Sequence, residues 1–345
     1  PSEQVHLFPV DEVLSAEMAF SSPEARADRV SALNFLMTAN AGIVVVPVAG
    51  LRKYLPTKET WQNAQLHWEI GTEVEPEILA QRLVLMGYER QSMVGKPGEF
   101  SIRGSIVDVY PLNAEYPVRV ELFDVEIDSI RYFEADTQRS LENLEEVTIS
   151  PMTDLVFSKA DMNHGMTRLQ DALEKRLATA KDQTETDFLE EYFGQLLSSW
   201  EQGIPTENAH YYTDFLYQQK TTLLDYLPEN SLLFVDDYSR MMETEREIAR
   251  EEAEWQTLKI EEMRVFSEQT FGVDFHDQLR KTARNTTFFS LFQKGMGNLR
   301  FQEVHNFQYR SMQQFFGQMP LLKAEVDRWQ KQNQTVVVFV PTKER

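Results

Sequence analysis

The chain contains no cysteine, which excludes disulfide bonds and thiolate metal sites together. Long apolar runs are also missing. Ile43 to Val48 and Val336 to Val340 are the longest, far below the roughly 20 residues that a membrane span needs. The opening Pro1-Ser2-Glu3-Gln4 has neither the basic start nor the apolar centre of a signal peptide, so a soluble, cytoplasmic chain with no membrane partner is expected. Positive charge is in short supply: 34 Lys and Arg stand against 55 Asp and Glu, a formal net charge of −21. The summed field repels phosphate, and no local cluster of Lys and Arg is present to neutralise a duplex backbone. Protein partners are therefore expected ahead of nucleic acid, unless folding assembles a basic patch from distant positions.

The motifs of common chemistries are missing as well. A phosphate-binding loop of the form GxxxxGK[ST] does not occur, and Gly95-Lys96-Pro97-Gly98 has the wrong order and a proline where an amide donor is needed, so it reads as a turn. His6, His67, His164, His210, His276 and His305 are scattered, with no HExxH or other close ligand spacing, and no metal site is expected. Arg103-Gly104-Ser105 lacks the second glycine of a nucleophile elbow. No catalytic constellation emerges. Leu232-Leu233-Phe234-Val235-Asp236-Asp237 does look like the acidic Walker B element that holds Mg²⁺. Without a partner loop, Asp236 and Asp237 read as a vestige or as a cap on the helix that follows.

What is present is ordinary globular material: 42% hydrophobic and 26% charged residues, with none of the depletion that marks disorder. At 345 residues the chain exceeds the usual size of one core, which predicts two or three domains. Ser22-Pro23-Glu24 announces a helix over Ala25 to Leu36, and the β-branched run Ile43 to Val48 reads as a strand buried on both faces. Glu75 to Gly87 predicts a second helix, with acids in its first turn and a terminal glycine. Strands are expected over Gly98 to Tyr110, Pro117 to Phe123 and Glu126 to Phe133, making an α+β domain over 66–152 that ends at Ser150-Pro151. A long helical tract follows from Lys159 to about Leu227. Then come a strand at Ser231 to Val235, a charged helix from Met241 to Leu258, a strand at Thr286 to Ser290, an amphipathic helix from Gln313 to Gln330 and a strand at Thr335 to Val340. The simplest architecture is a discontinuous α/β domain, residues 1–65 and 153–345, interrupted by the small insert.

One face of the insert has a recognition character. Period-two alternation sends Val118, Val120 and Leu122 to the core and Arg119, Glu121 and Phe123 outward, and antiparallel pairing with the preceding strand can bring Arg103 alongside. Arginine and aromatic residues are the types enriched at interface hot spots. An isolated surface phenylalanine beside two solvated arginines fits the same pattern, and alternation alone leaves both readings open.

Two longer runs decide more. Gly98-Glu99-Phe100-Ser101-Ile102-Arg103-Gly104-Ser105-Ile106-Val107-Asp108-Val109-Tyr110-Pro111 and Arg119-Val120-Glu121-Leu122-Phe123-Asp124-Val125-Glu126-Ile127-Asp128-Ser129-Ile130-Arg131 resemble the UvrA-binding domain shared by UvrB and the Mfd family of bacterial transcription-repair coupling factors. The flanks Phe8-Pro9-Val10-Asp11-Glu12, Ser22-Pro23-Glu24 and Val46-Pro47-Val48, with Thr137-Gln138-Arg139-Ser140 and Phe315-Phe316-Gly317-Gln318, are more similar to the coupling factors. The resemblance implies a degenerate P-loop-type, UvrB-like α/β domain carrying a UvrA-binding insert, with its beginning and the segment after Arg345 outside this sequence. It implies a complete protein that recognises stalled RNA polymerase, moves on double-stranded DNA with ATP and Mg²⁺ in a downstream motor, and recruits UvrA for nucleotide excision repair. This stretch is expected to be no enzyme and to hold no cofactor. The family's UvrA contacts fall on Arg103, Arg119 and Phe123, with the arginines meeting carboxylates or carbonyls and the phenylalanine an apolar pocket. A carboxy-terminal domain of the complete protein is expected to cover that face at rest. A trimmed UvrB-like, damage-binding ATPase and a nucleic-acid-binding module are the alternatives.

Overall fold

The computed structural model describes residues 4–10, 22–38, 41–204, 206, 208–290, 299–307 and 317–337. The chain divides into two compact units, Pro1–Met296 and Gly297–Arg345.

The first unit opens with β1 (Val5–Leu7), α1 (Pro23–Thr38), β2 (Ile43–Val45), α2 (Val48–Arg52) and α3 (Lys58–Asn63). Helix α1 starts where the sequence predicts. The Ser22 hydroxyl accepts from the Ala25 amide at 3.0 Å, and Pro23 takes the first helical position, where a missing N–H is no loss. Val30, Leu33 and Leu36 recur at helical spacing and are buried. Strand β1 pairs parallel with β2, Val5 opposite Ile43 and Leu7 opposite Val45. The expected doubly covered strand is corrected here: it stops at Val45, and Ile43 and Val45 are 59% and 51% exposed. Pro47, with φ −72°, serves as the N-cap of α2 and ends the extended run.

The next stretch holds β3 (Leu66–Glu69), α4 (Pro76–Leu85), β4 (Glu89–Arg90), β5 (Glu99–Arg103), β6 (Ile106–Val109), β7 (Val118–Phe123), β8 (Glu126–Phe133), β9 (Ser140–Leu144) and β10 (Glu146–Ile149). Strands β4 to β9 form a six-stranded sheet in sequence order, antiparallel except for the β4–β5 pair, while β10 pairs antiparallel with β3. The helix lays Leu79 and Leu83 on a core built from Phe100, Val107, Val109, Val118, Val120, Ile127 and Ile130. The run Gly98 to Tyr110 is not one strand. Gly104, at φ +61°, turns it into the β5–β6 hairpin, a conformation that glycine adopts without a Cβ penalty. Strands β9 and β10 have no counterpart in the sequence reading, because Ser140-Leu141-Glu142-Asn143-Leu144 is polar and largely exposed. At the close of this stretch the Tyr88 hydroxyl donates to the Ser150 carbonyl at 2.7 Å and the Met152 amide to the Met86 carbonyl at 2.9 Å.

After it come α5 (Lys159–Leu177), α6 (Gln183–Glu201), α7 (Thr213–Leu216), α8 (Leu223–Tyr226), β11 (Leu233–Asp236), α9 (Tyr238–Glu261), α10 (Phe275–Lys281) and β12 (Thr286–Phe289). The single helical tract expected from Lys159 is therefore a pair of long helices followed by short ones. Asp182 accepts from the Glu185 amide at 2.9 Å and restarts the helix as its N-cap. Met162, Leu169, Phe193, Trp200, Tyr212, Phe215 and Phe266 make a second core. Strand β11 pairs parallel with β12. Two ionic clusters join residues that precede the six-stranded sheet in the sequence to residues that follow it. Asp154 is buried between Arg29 Nε at 3.0 Å and Lys53 Nζ at 2.5 Å, and Arg52 reaches Glu245 at 3.3 Å and Glu252 at 2.5 Å on α9.

In the second unit α11 (Met319–Lys331) takes up most of the expected amphipathic helix, whose beginning at 313–316 lies outside the described residues. Of the strand expected at 335–340, residues 335–337 carry no regular structure and 338–340 lie outside the described residues.

Candidate protein-recognition site

Register on the six-stranded sheet determines which polar residues meet. Ser101 of β5 lies opposite Asp108 of β6, Asp108 opposite Arg119 of β7, Arg119 opposite Arg131 of β8, and Arg131 opposite Asn143 of β9. One polar row thus crosses five strands on the face away from α4, while Val107, Val120 and Ile130 of the flanking rows are buried. Arg103 belongs to the neighbouring row, with Ile106 and Glu121. Strand β6 therefore separates Arg103 from Arg119, and the adjacency expected of the two arginines is indirect.

Asp108 makes the link. Its carboxylate has no exposed surface; Oδ1 accepts from Arg119 Nε at 2.7 Å, and Oδ2 accepts from Arg119 Nη2 at 2.8 Å and Arg103 Nη2 at 2.7 Å. Burying a carboxylate is costly unless it is paired and hydrogen-bonded, and two guanidinium groups meet that need here. Arg119 also donates from Nη2 to Gln138 Oε1 at 2.7 Å and lies 4.2 Å above the Phe133 ring. Hydrogen bonding to Asp108 raises its pKa above the ordinary arginine value, against the opposing effect of burial. Beside it Glu121 pairs with Arg131, and that bond holds the Glu121 carboxyl below its ordinary value.

Exposure separates the three predicted residues. The side chain of Arg103 is 38% exposed and that of Arg119 only 11%, whereas Phe123 is 78% exposed. Phe123 ends β7, opposite Glu126, where Asp124 at φ +59° begins a two-residue turn into β8. It stands four residues from Arg119, about 13 Å along the strand. The structure thus brings Arg103 and Arg119 together through Asp108 and places Phe123 at the hairpin tip of the same sheet. Two residues of this arrangement had no role in the sequence reading. Asp108 sits inside the quoted motif, and recognising it as a link requires the turn at Gly104; Gln138 is held at φ +58° in the loop between β8 and β9.

The acidic pair at the end of β11 has a local explanation. Asp237, at φ +50°, is the N-cap of α9 and its side chain accepts from the Arg240 amide at 3.4 Å, while Asp236 is exposed. Among the described residues no group of three or more His, Cys, Asp or Glu is placed to hold a metal ion, and no helix is long and apolar enough to cross a membrane.

Residues 66–155, which contain this sheet, match the family model described as the UvrB interaction domain. The whole chain is similar to a transcription-repair-coupling factor of Bacillus subtilis (strain 168), 39% identical over 341 residues, covering 99% of this chain and 29% of that protein. It is similar also to the transcription-repair-coupling factor of Staphylococcus aureus (strain MRSA252), 32% identical over 348 residues, again 99% of this chain and 29% of the relative. The chain spans less than a third of the length of these relatives.

Proposed function

We propose, for a chain homologous over nearly all its length to transcription-repair-coupling factors and carrying a UvrB interaction domain, that it is the UvrB-like N-terminal module of such a factor and recruits UvrA in transcription-coupled nucleotide excision repair. The observation that carries this reading is Phe123, a large apolar side chain 78% exposed at a hairpin tip, on the sheet whose arginines Asp108 holds in place. Aromatic and arginine anchors of this kind supply most of the energy of protein interfaces. Arg103, Arg119 and Phe123 form the UvrA site in this reading.

Residues 1–65 and 153–345 make up a degenerate P-loop-type α/β domain, a reading supported in the first unit by the Arg52–Glu245 and Arg29–Asp154 pairs. With no phosphate-loop sequence in the 345 residues, Asp236 and Asp237 serve the fold and not a nucleotide. This stretch is then no enzyme, and ATP, Mg²⁺, RNA polymerase and double-stranded DNA belong to other parts of a cytoplasmic translocase. A carboxy-terminal domain of that protein covers the Phe123 face at rest.

Photo-crosslinking tests the site directly. With Phe123 replaced by p-benzoylphenylalanine, irradiation should couple the chain to UvrA, while the same replacement at exposed Leu258 of α9 should not. Equal yields from both positions, or none from Phe123, contradict the reading.

A further inference from the structure

The three residues of the proposed UvrA site are unequal in what they offer a partner. A guanidinium carries five N–H donors. Arg103 uses three: Nη1 to the Ser92 carbonyl at 2.9 Å and to Ser101 Oγ at 3.3 Å, and Nη2 to Asp108 at 2.7 Å. The Nε–H and one Nη2–H remain, without a partner among the described residues, on a side chain 38% exposed. Arg119 also commits three, two to Asp108 and one to Gln138, but its side chain is only 11% exposed and its guanidinium lies over the buried Phe133 ring.

We propose that Arg103 and Phe123 touch UvrA, and that Asp108 and Arg119 are positioning residues which act through Arg103. The inference rests on the UvrA-recruiting reading and divides its site into two roles. Gln138 holds Arg119, Arg119 holds Asp108 from one side, and Asp108 fixes the Arg103 guanidinium on the other, so that Arg103 meets its partner without first losing side-chain freedom. Ordering a mobile side chain at an interface costs about 0.5–1.5 kcal/mol, and preorganisation removes that cost. The two remaining N–H groups of Arg103 suit an acceptor of acidic character, a carboxylate above all. The complementary patch on UvrA is therefore an acidic side chain separated by roughly 12 Å from an apolar socket for Phe123, a spacing set by two strand separations across the sheet and two residues along it.

A double-mutant cycle separates positioning from contact and from simple loss of structure. UvrA affinity is measured for the whole chain carrying Asp108→Asn, Arg103→Ala or both, at a temperature where each is folded by its thermal melt. Asp108→Asn should weaken binding about tenfold alone and about twofold or less in the Arg103→Ala background. Where Asp108→Asn fails to fold, Arg119→Lys takes its place in the cycle, because lysine keeps the charge and cannot make the two-pronged bond to Asp108. An equal loss in both backgrounds overturns the proposal, since it means that Asp108 or Arg119 acts independently of Arg103. An Arg103→Ala chain that binds like wild type overturns it too. Failure of the wild type to bind UvrA removes the underlying reading, an outcome distinct from either.

Discussion

Replacing Phe123 by alanine should weaken the complex with UvrA about thirtyfold or more, some 2 kcal/mol, the loss typical of a central aromatic anchor. The same change should leave the urea midpoint almost where it is. A side chain that is 78% exposed gives up little burial when truncated, and the strand on which it sits is fixed by Val118, Val120 and Leu122 on the opposite face. Equilibrium titration and urea unfolding of the same preparations check both halves. A large loss of affinity without loss of stability distinguishes an anchor from a residue that merely supports the sheet. Parallel losses would assign Phe123 to the fold.

The second large effect is on stability. Asp154 lies just after the inserted sheet and is buried between Arg29 of α1 and Lys53. Replacing it with alanine should cost about 3–5 kcal/mol, because removing one member of a buried ion pair leaves uncompensated charge behind. Its titration gives a second signature. Burial alone raises the Asp154 carboxyl, but the charges of Lys53 and Arg29 outweigh that effect and hold it well below the usual carboxylate range. A carboxyl depressed in the folded state favours folding at every pH above its unfolded value, roughly 3.9, and the contribution is lost as pH falls through the folded value. The stability gap between wild type and Asp154→Asn in urea should therefore be widest near neutral pH and narrow below about pH 4. A gap that stays constant to pH 3 contradicts the pairing.

Much of the stretch from α4 to β8 was legible in the sequence because its signals are local. Alternation along Val118 to Phe123 sorts core from surface without reference to any other strand, and acids after a proline mark the start of α4. The link between the arginines was not legible by the same means. Gly104 had to be read as a hairpin turn before Asp108 could be placed opposite Arg119, and a continuous strand from Gly98 to Tyr110 hides that pairing. The polar strand Ser140–Leu144 offers no alternation to read, since it is an edge held mainly by its ladder to β8. The break between α5 and α6 carries neither proline nor glycine; it is set by the Asp182 cap, a residue type that these two helices also carry in their interiors at Asp171 and Asp187. Ile43 and Val45 show the limit of apolarity as a signal. Their β-branched pattern specified a strand and said nothing about how many neighbours it has.

The measurement that bears most directly on the account is a calorimetric titration of the folded 345-residue chain with UvrA. Saturable binding that is retained by the Leu258→Ala chain and lost, by at least tenfold, with Arg103→Ala and with Phe123→Ala is the predicted result. A folded chain that shows no binding to UvrA, or that binds with both residues removed, contradicts the claim that this sheet is the recruiting surface.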